Sequence, residues 1–540
     1  MPNVAESVLA ALSHSGVSTV FGLPGVHNLA FWPQQRRADS PKIMKVRHEQ
    51  TAVYAADGWA RATGTLGAAL VTTGPGAANC LAAFGEAAMV RSPLILIASE
   101  VPGPNRDLGL VRALHQSPDQ AAMFRPLAKS VYTPRTAADA AEAVGAAIAD
   151  ATSTPSGPVY VDIPADVLWE PGVDIVPATR TSNERLDEQQ LVRVIQEINA
   201  GGTVGIWAGG GAVAASAGDA VLALSERLRA PVFTTFASRG IVSPDYRALV
   251  TLPPHEPEIA KLLSGLDVLI AIGSDFDGMI TKNATLRMPP KIIDINVLAG
   301  AHNIGYSGIT PMPGDARIVT EALLEAVTPR ASGPADHVTN RVQEVWDRLG
   351  ADPRSVEACA FVNAVRSSAS EAIVVNDMTI PGYWLGSYYA PRQPRMLQYP
   401  VGWGTLGFAL PASVGAGAAG KAPVLVVCGD AGIMFALGEL GTLVEEGLPV
   451  TVLIVDDGGY GMLRFDQEHS GSPTHDMNLK APDFASLVRG FGLAVNDLGH
   501  ELGGLDQALR SGIASGVPNA VICRVSLYPP RTTSPRWAEI

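Results

Sequence analysis

Short runs of consecutive apolar, often β-branched residues punctuate the chain, and stretches with helical spacing of apolar positions follow them. The clearest runs fall at 68–71, 94–98, 159–163, 204–207, 268–272, 292–295, 373–375, 424–427, 450–455 and 520–525, and the N-terminus reads as a helix followed by a strand. Consecutive rather than alternating apolar positions mark strands covered on both faces, so parallel sheets flanked by helices are expected. One doubly wound sheet seldom holds so many strands, which predicts an α/β chain with several such domains. Pro-, Thr- and charge-rich connectors at 169–187 and 327–337 mark two seams. They divide the chain into 1–170, 188–328 and 338–527, and the two outer blocks could share one plan. The closing segment 528–540 has no element pattern and reads as a disordered tail or as a strap over a site.

Composition sharpens this picture by exclusion. The 540 residues carry a formal charge of −13 and no long basic run, which argues against a nucleic-acid binder. With 47% hydrophobic and only 17% charged residues, the chain is not expected to be disordered. The N-terminus lacks the basic region of a signal peptide, and no 18-residue apolar run is free of polar or glycine breaks. Cys80, Cys359, Cys428 and Cys523 lack CxxC spacing and read as reduced, buried thiols, so a cytoplasmic protein is expected.

The strongest chemical signal is VLVVCGDAGIMFALGELGTLVEEGLPVTVLIVDDGGYGML at 424–463. It reads as strand, glycine turn, helix, strand and a second, acidic glycine turn. Asp430 follows the first strand, and Asp456 and Asp457 follow the second. In a parallel sheet both strand ends open at the same edge, where open α/β sheets bind ligands. Paired carboxylates there suit a hard cation such as Mg²⁺, which takes one or two protein carboxylates and then phosphates. Ala431, Gly432 and Ile433 are expected to open a helix whose N-terminus favours a diphosphate. Strand-end aspartates often do no more than cap helices; the pairing favours the cation.

GDA…DDGGYG resembles the GDG…NN signature of thiamine-diphosphate (ThDP) enzymes, with Ala431 in place of the second glycine and Asp457 where many members have Asn. A subset of acetolactate-synthase-like members carries both variants. The resemblance assigns Mg²⁺ to Asp430, Asp457 and the carbonyl of Gly459, and gives cofactor contacts to Gly429, Asp430, Ala431, Gly432, Asp457, Tyr460 and Gly461. VRHEQTAVYAADGWARATG at 46–64 is similar to the family motif in which a glutamate, here Glu49, hydrogen-bonds N1′ of the aminopyrimidine so that the cofactor's own amino group takes the C2 proton. Read alone, Glu49 would be a helix-stabilising acid. TTGPGAAN at 72–79 resembles the glycine-rich loop beside the pyrimidine and includes Asn79. VGWGTLGFALPASVG at 401–415 resembles the segment in which Leu406 wedges the cofactor into its bent shape and the Gly404 carbonyl takes the 4′-amino group; otherwise Leu406 is a core leucine. Asn376, Asp377 and Thr379 are expected at the diphosphate.

The resemblance covers nearly the whole chain, with further matches at FGLPG (21–25), GPVYVDIPAD (157–166), DIN (294–296) and GDA (314–316). It implies three α/β doubly wound parallel-sheet domains: pyrimidine-binding, middle and diphosphate-binding. It also implies a site between two subunits, hence a homodimer at least and commonly a homotetramer. AGGG at 208–211 is similar to an FAD-contacting loop of some relatives, which leaves FAD possible; a dehydrogenase is disfavoured because GxGxxG order is absent.

The reaction is less legible. His27 stands where relatives differ by substrate and could contact a substrate hydroxyl or shuttle a proton. His115 and Gln116 fall where pyruvate decarboxylases have paired histidines, and a glutamine there resembles acetolactate synthases and benzaldehyde lyase. Thr72 replaces the catalytic histidine of benzoylformate decarboxylases. His48 reads as structural, and Met462, Leu463 and Phe465 as either acceptor-pocket wall or packing. These features imply a 2-oxo-acid decarboxylase/carboligase of the acetolactate-synthase type acting on small 2-oxo acids or aldehydes. A benzoylformate-decarboxylase- or benzaldehyde-lyase-like enzyme on aryl substrates is the alternative, and a non-catalytic binding or regulatory protein of this fold is the alternative of another class.

Overall fold

The computed structural model describes residues 2–32, 40–107, 113–176, 186–298, 305–471 and 476–530. Three six-stranded sheets carry the architecture, and every strand pair in them is parallel. The first contains β1 Thr19–Gly22, β2 Lys42–Lys45, β3 Gly67–Val71, β4 Leu94–Glu100, β5 Ser130–Tyr132 and β6 Pro158–Pro164. The second contains β7 Val204–Ala208, β8 Val232–Thr234, β9 Leu249–Val250, β10 Val268–Ile272, β11 Lys291–Asn296 and β12 Ile309–Pro313. The third contains β13 Ile373–Asn376, β14 Leu397–Gln398, β15 Val424–Gly429, β16 Val450–Val455, β17 Ala494–Asp497 and β18 Asn519–Cys523.

The first and third sheets have the same order, β2-β1-β3-β4-β6-β5 and β14-β13-β15-β16-β18-β17, so the outer blocks do share a plan. In both, chain direction across the sheet reverses between the first and third strands. That reversal opens a crevice at the strands' carboxyl ends, the usual ligand position in open α/β sheets. The middle sheet runs β12-β11-β10-β7-β8-β9, which places its reversal between β7 and β10.

All six edge strands, and the three-residue β8, lie outside the apolar runs read from the sequence. Edge strands are covered on fewer sides, so they need no continuous apolar run. β17 shows this most clearly: three of its four residues are exposed.

The third sheet lies at the centre of the packing. Val375, Val426 and Ile454 face the first domain in a core with Phe21, Tyr54, Phe84 and Phe408. Val374, Val427 and Leu453 face the opposite way, toward a core with Trp207, Phe233, Phe361 and Trp384. Neighbouring residues on one strand thus feed two cores, which is why those strands read as unbroken apolar runs.

Cys80, Cys428 and Cys523 are buried free thiols, whereas Cys359 is half-buried on a helix flank, contrary to expectation. Its helix, Val356–Ser368, buries only one stripe of side chains. Among the described residues no helix is long and apolar enough to cross a membrane. Tyr528 is pinned by a hydrogen bond from Trp384 Nε1 to its carbonyl (2.8 Å). The expected tail or strap beyond it, 531–540, and much of the first seam, 177–185, lie outside the described residues.

Candidate active site

The crevice of the first sheet gathers the N-terminal candidates. The turn after β1 meets the turn after β3: a methyl placed on Gly25 would stand 2.5 Å from the Thr72 side chain. The helix Glu49–Thr63 begins at Glu49, with His48 as its cap accepting from the Gln50 amide (3.2 Å), so His48 is structural as expected. Glu49 Oε2 accepts from Asn79 Nδ2 at 3.0 Å, and Gly76 leaves the other oxygen open beside it. Asn79 is thereby a partner of Glu49.

His27 and His115 meet here with ring centroids 5.5 Å apart, edge to face. Burial first, and then the neighbouring His115, lower the pKa of His27 below its usual 6.5. The Nδ1 atoms of both rings are sealed from solvent with no hydrogen-bond partner, as is Thr72 Oγ1. His115 adopts φ +63°, uncommon for a residue with a side chain. That conformation presses its carbonyl against Gly74, where any Cβ would lie 2.2 Å from it. Gln116 Oε1 accepts from the Ala113 amide (3.0 Å) and braces its own loop.

Gln120 had no signal in the sequence. Fully buried, it accepts from the Gly74 amide and donates to the Ser99 carbonyl and Tyr160 hydroxyl (3.0 and 2.9 Å), fixing the glycine-rich loop.

The crevice of the third sheet gathers the C-terminal candidates. β13, β15 and β16 end side by side and deliver Asn376, Asp377 and Thr379, then Gly429 and Asp430, then Asp456 and Asp457. Asp430 has its pKa raised, by burial and then by Asp456. That of Asp457 is pushed to about 7, by burial and then by Asp430. Gly459, at φ +137° beneath the Met477 carbonyl, turns the loop back so that its amide faces both carboxylates. Gly461 packs against the Asp457 carboxylate, and Tyr460 is tied by its amide to Met477 O (3.0 Å). Arg464, another residue not singled out in the sequence, donates to the Asp457 carbonyl (2.9 Å) and stands 4.0 Å from its carboxylate.

One expectation is corrected. Ala431, Gly432 and Ile433 form a single helical turn, Asp430–Ile433, and regular helix resumes only at Glu439–Glu446. So short a turn aligns few peptide dipoles, so what it could offer an anion is individual backbone amides more than a helix dipole.

Asp377 is fully buried, its pKa raised by burial to about 6, and both its oxygens accept from the Gly407 amide at 3.0 Å. It therefore anchors the loop that carries Gly404, at φ +69°, and Leu406, which stays 36% exposed in place of joining the core. Met462 is half-buried and Leu463 exposed. Phe465 is packing: it stacks on His469 and meets Tyr528 edge-on. The AGGG glycines pack against the β10 exit, where a Cβ on Gly209 would stand 2.2 Å from the Gly273 carbonyl.

The donor set fits a cation with an anionic ligand. Asp430 Oδ2 is buried without a partner, and so are both amide atoms of Asn376. Buried carboxylates whose pKa values are raised by neighbouring carboxylates carry negative charge that a divalent ion would offset.

Comparison with known proteins converges on the same crevices. Family models described as the N-terminal and C-terminal TPP binding domains of thiamine pyrophosphate enzymes match residues 2–123 and 377–523, and that of the central domain matches 191–323. A Pseudomonas aeruginosa protein named "Probable 2-ketoarginine decarboxylase" is 31% identical, over 95% of this chain and 92% of its own. The acetolactate synthase large subunit of Parasynechococcus marenigrum is 31% identical (96% and 86%), and isozyme 3 of Escherichia coli is 29% identical (90% and 88%). An X-ray structure of a Mycobacterium smegmatis protein assigned to the thiamin diphosphate-dependent enzymes shares the fold, with a TM-score of 0.80 at 21% identity over 98% and 99% of the two chains. With its two crevices lying under the two matched binding domains, and relatives alike along almost its full length, this chain belongs to the thiamine pyrophosphate enzyme family.

Proposed function

We propose that the protein is a Mg²⁺- and ThDP-dependent decarboxylase/carboligase acting on 2-oxo acids. The observation that carries this reading is the third crevice, where Asp430 Oδ2 lies buried and unsatisfied beside Asp457 and Asn376. Asp430, Asp457 and the Gly459 carbonyl would hold the cation. Thr379 and the turn at Gly429–Gly432 would take the diphosphate. Gly404 and Leu406 would set the bend of the cofactor, and Glu49 would hold its pyrimidine. Bound ThDP supplies an acidic carbon and an electron sink for the donor's carbonyl.

The chain's own contribution is positioning and proton control. Glu49, held by Asn79, keeps a carboxyl in place for the pyrimidine nitrogen. The exposed apolar side chains of Val26 and Leu114, next in sequence to His27 and His115, would disfavour a charged carboxylate, which is the group a decarboxylase expels. His27, neutral at pH 7, can accept or return a proton at a substrate oxygen. The names of the relatives, a decarboxylase and synthases, support the same reaction class. Glu49 and the acidic loop stand at the ends of separate sheets, and apolar Leu406, Met434 and Phe435 are exposed near the second, which favours a site completed between two protomers. A homodimer is then the smallest working unit.

The deciding experiment incubates the purified protein with ThDP, Mg²⁺ and, separately, pyruvate, 2-ketoarginine and benzoylformate, with products identified by mass spectrometry. Aldehyde or 2-hydroxy-ketone products from the aliphatic acids are expected. Benzaldehyde or benzoin alone would shift the assignment to aryl substrates, and no turnover of any 2-oxo acid would refute it.

A further inference from the structure

The loop bearing Gly404 and Leu406 is gripped from two domains. On its C-terminal side the Gly407 amide bonds the Asp377 carboxylate. On its N-terminal side two successive amides point at one side chain of the first domain: Glu86 Oε1 accepts from Gly402 at 3.0 Å and Oε2 from Trp403 at 2.8 Å. Glu86 is fully buried in the helix Leu81–Met89. Its remaining partner is Arg61 Nη2 at 3.1 Å.

Arg61 extends the grip. It donates through Nη1 to the Tyr399 carbonyl (3.0 Å) and through Nε to both oxygens of buried Asp57 (3.0 Å each). Its guanidinium also lies over the Phe408 ring, 4.8 Å from the centroid. Segment 399–408 is therefore held at Tyr399, Gly402, Trp403 and Phe408 by side chains of the N-terminal domain. Gly404, Thr405 and Leu406 lie between the two carboxylate pegs. A loop with three glycines has many alternative conformations, and two buried carboxylates facing its amides select one of them.

We infer that Glu86, oriented by Arg61, is a positioning residue for the cofactor: it sets the loop that presents the Gly404 carbonyl and the Leu406 side chain. This rests on the reading that those two residues touch ThDP. In this arrangement the cofactor loop takes its shape only when the N-terminal and C-terminal domains of one chain are docked, because each supplies one peg. Glu86→Gln keeps the shape of the side chain but turns an NH₂ toward a backbone N–H, so one peg becomes a repulsive donor–donor contact.

The test uses the full-length chain. In cofactor-free protein, hydrogen exchange of the peptide covering 399–408 should run about tenfold faster in Glu86→Gln than in the unaltered chain. ThDP titrated in the presence of Mg²⁺ should bind about tenfold more weakly, with the melting temperature within a few degrees. Gly402→Ala attacks the same contact from the loop side, since its Cβ would stand 2.8 Å from the Glu86 carbonyl and 3.0 Å from Oε1; it leaves Arg61 and both acids intact and should give the same two changes. It decides the matter if Glu86→Gln does not fold. A folded variant with a lowered melting temperature but unchanged exchange in 399–408 and unchanged ThDP affinity would reduce Glu86 to a structural role and overturn the inference. Failure of the unaltered chain itself to bind ThDP would instead overturn the reading beneath it, and this inference with it.

Discussion

The imidazole of His27 meets that of His115 edge to face at 5.5 Å, each ring keeping a buried Nδ1 with no hydrogen-bond partner. On the proposed function, these two unsatisfied ring nitrogens would be a polar pair for a substrate oxygen. His27→Ala should lower kcat by about 10²-fold, within the range of positioned proton transfer, while ThDP affinity is unchanged. Because the pKa of His27 is lowered, its neutral form prevails down to pH values below 6.5, and activity should fall as pH drops through that lowered value. A kcat–pH profile checks both statements; in the variant this acidic limb should be gone.

Glu49 accepts from Asn79 but carries little of the fold. Glu49→Gln should cut turnover by about 10²–10⁴-fold. Its loss at a helix N-terminus costs only about 0.3–1 kcal/mol, so the melting temperature should move by no more than a few degrees. Steady-state kinetics beside thermal unfolding separates the two effects, and near-normal turnover would remove Glu49 from the catalytic role proposed for it.

Asp430 and Asp457 should respond with opposite signs to loading. Without a cation, burial and repulsion from neighbouring carboxylates make both charges costly, so Asp430→Asn should raise the melting temperature of the cofactor-free protein by a few degrees. The same change should abolish Mg²⁺-dependent ThDP binding, and chelation of Mg²⁺ should do so in the unaltered chain. Calorimetry with and without ThDP and Mg²⁺ reads both.

Gly415 and Ala55 mark where two helices touch backbone to backbone: a Cβ on Gly415 would lie 1.7 Å from the Ala55 carbonyl oxygen. Gly58 faces the Ala412 carbonyl in the same way, at 2.0 Å. Gly415→Ala must therefore push apart the helices Glu49–Thr63 and Ala409–Ala418, at a cost of about 2 kcal/mol or more. Thermal unfolding checks this, and a melting temperature equal to that of the unaltered chain would contradict the close approach.

Asp294, 3% exposed on β11, has its pKa raised to about 7, by burial and then by Asp275. The folded chain thus holds a proton that the unfolded chain, with an ordinary value near 4, releases. Stability from this group is present below about pH 4 and is lost as pH rises through 7, a loss of about 2–4 kcal/mol. Asp294→Asn should therefore melt higher than the unaltered chain at pH 8, with the gap narrowing steadily on acidification and nearly closing at about pH 4.

Much of this was legible in the chain itself. Interior strands betray themselves because burial on both faces demands unbroken apolar runs, and the runs at 424–427 and 450–455 lie within β15 and β16. The edge strands stayed hidden because their exposure relaxes that demand. The single turn after Asp430 was read as a longer helix because local sequence does not reveal where packing interrupts it between Ile433 and Glu439.

Sequence alone therefore determined the α/β class, the repeated strand–helix rhythm and the family, together with the local motifs around Glu49 and Asp430. These depend on neighbours within a few residues or on the two-faced burial of a strand. Tertiary structure alone decided that His27 meets His115, that Gln120 fixes the Gly74 turn, that Asp377 serves the Leu406 loop, and that Glu86 grips that loop from another domain. The physical reason is that hydrogen bonds and ring contacts act over a few ångströms of space whatever the distance along the chain. Local pattern carries no trace of a partner that only folding brings within reach.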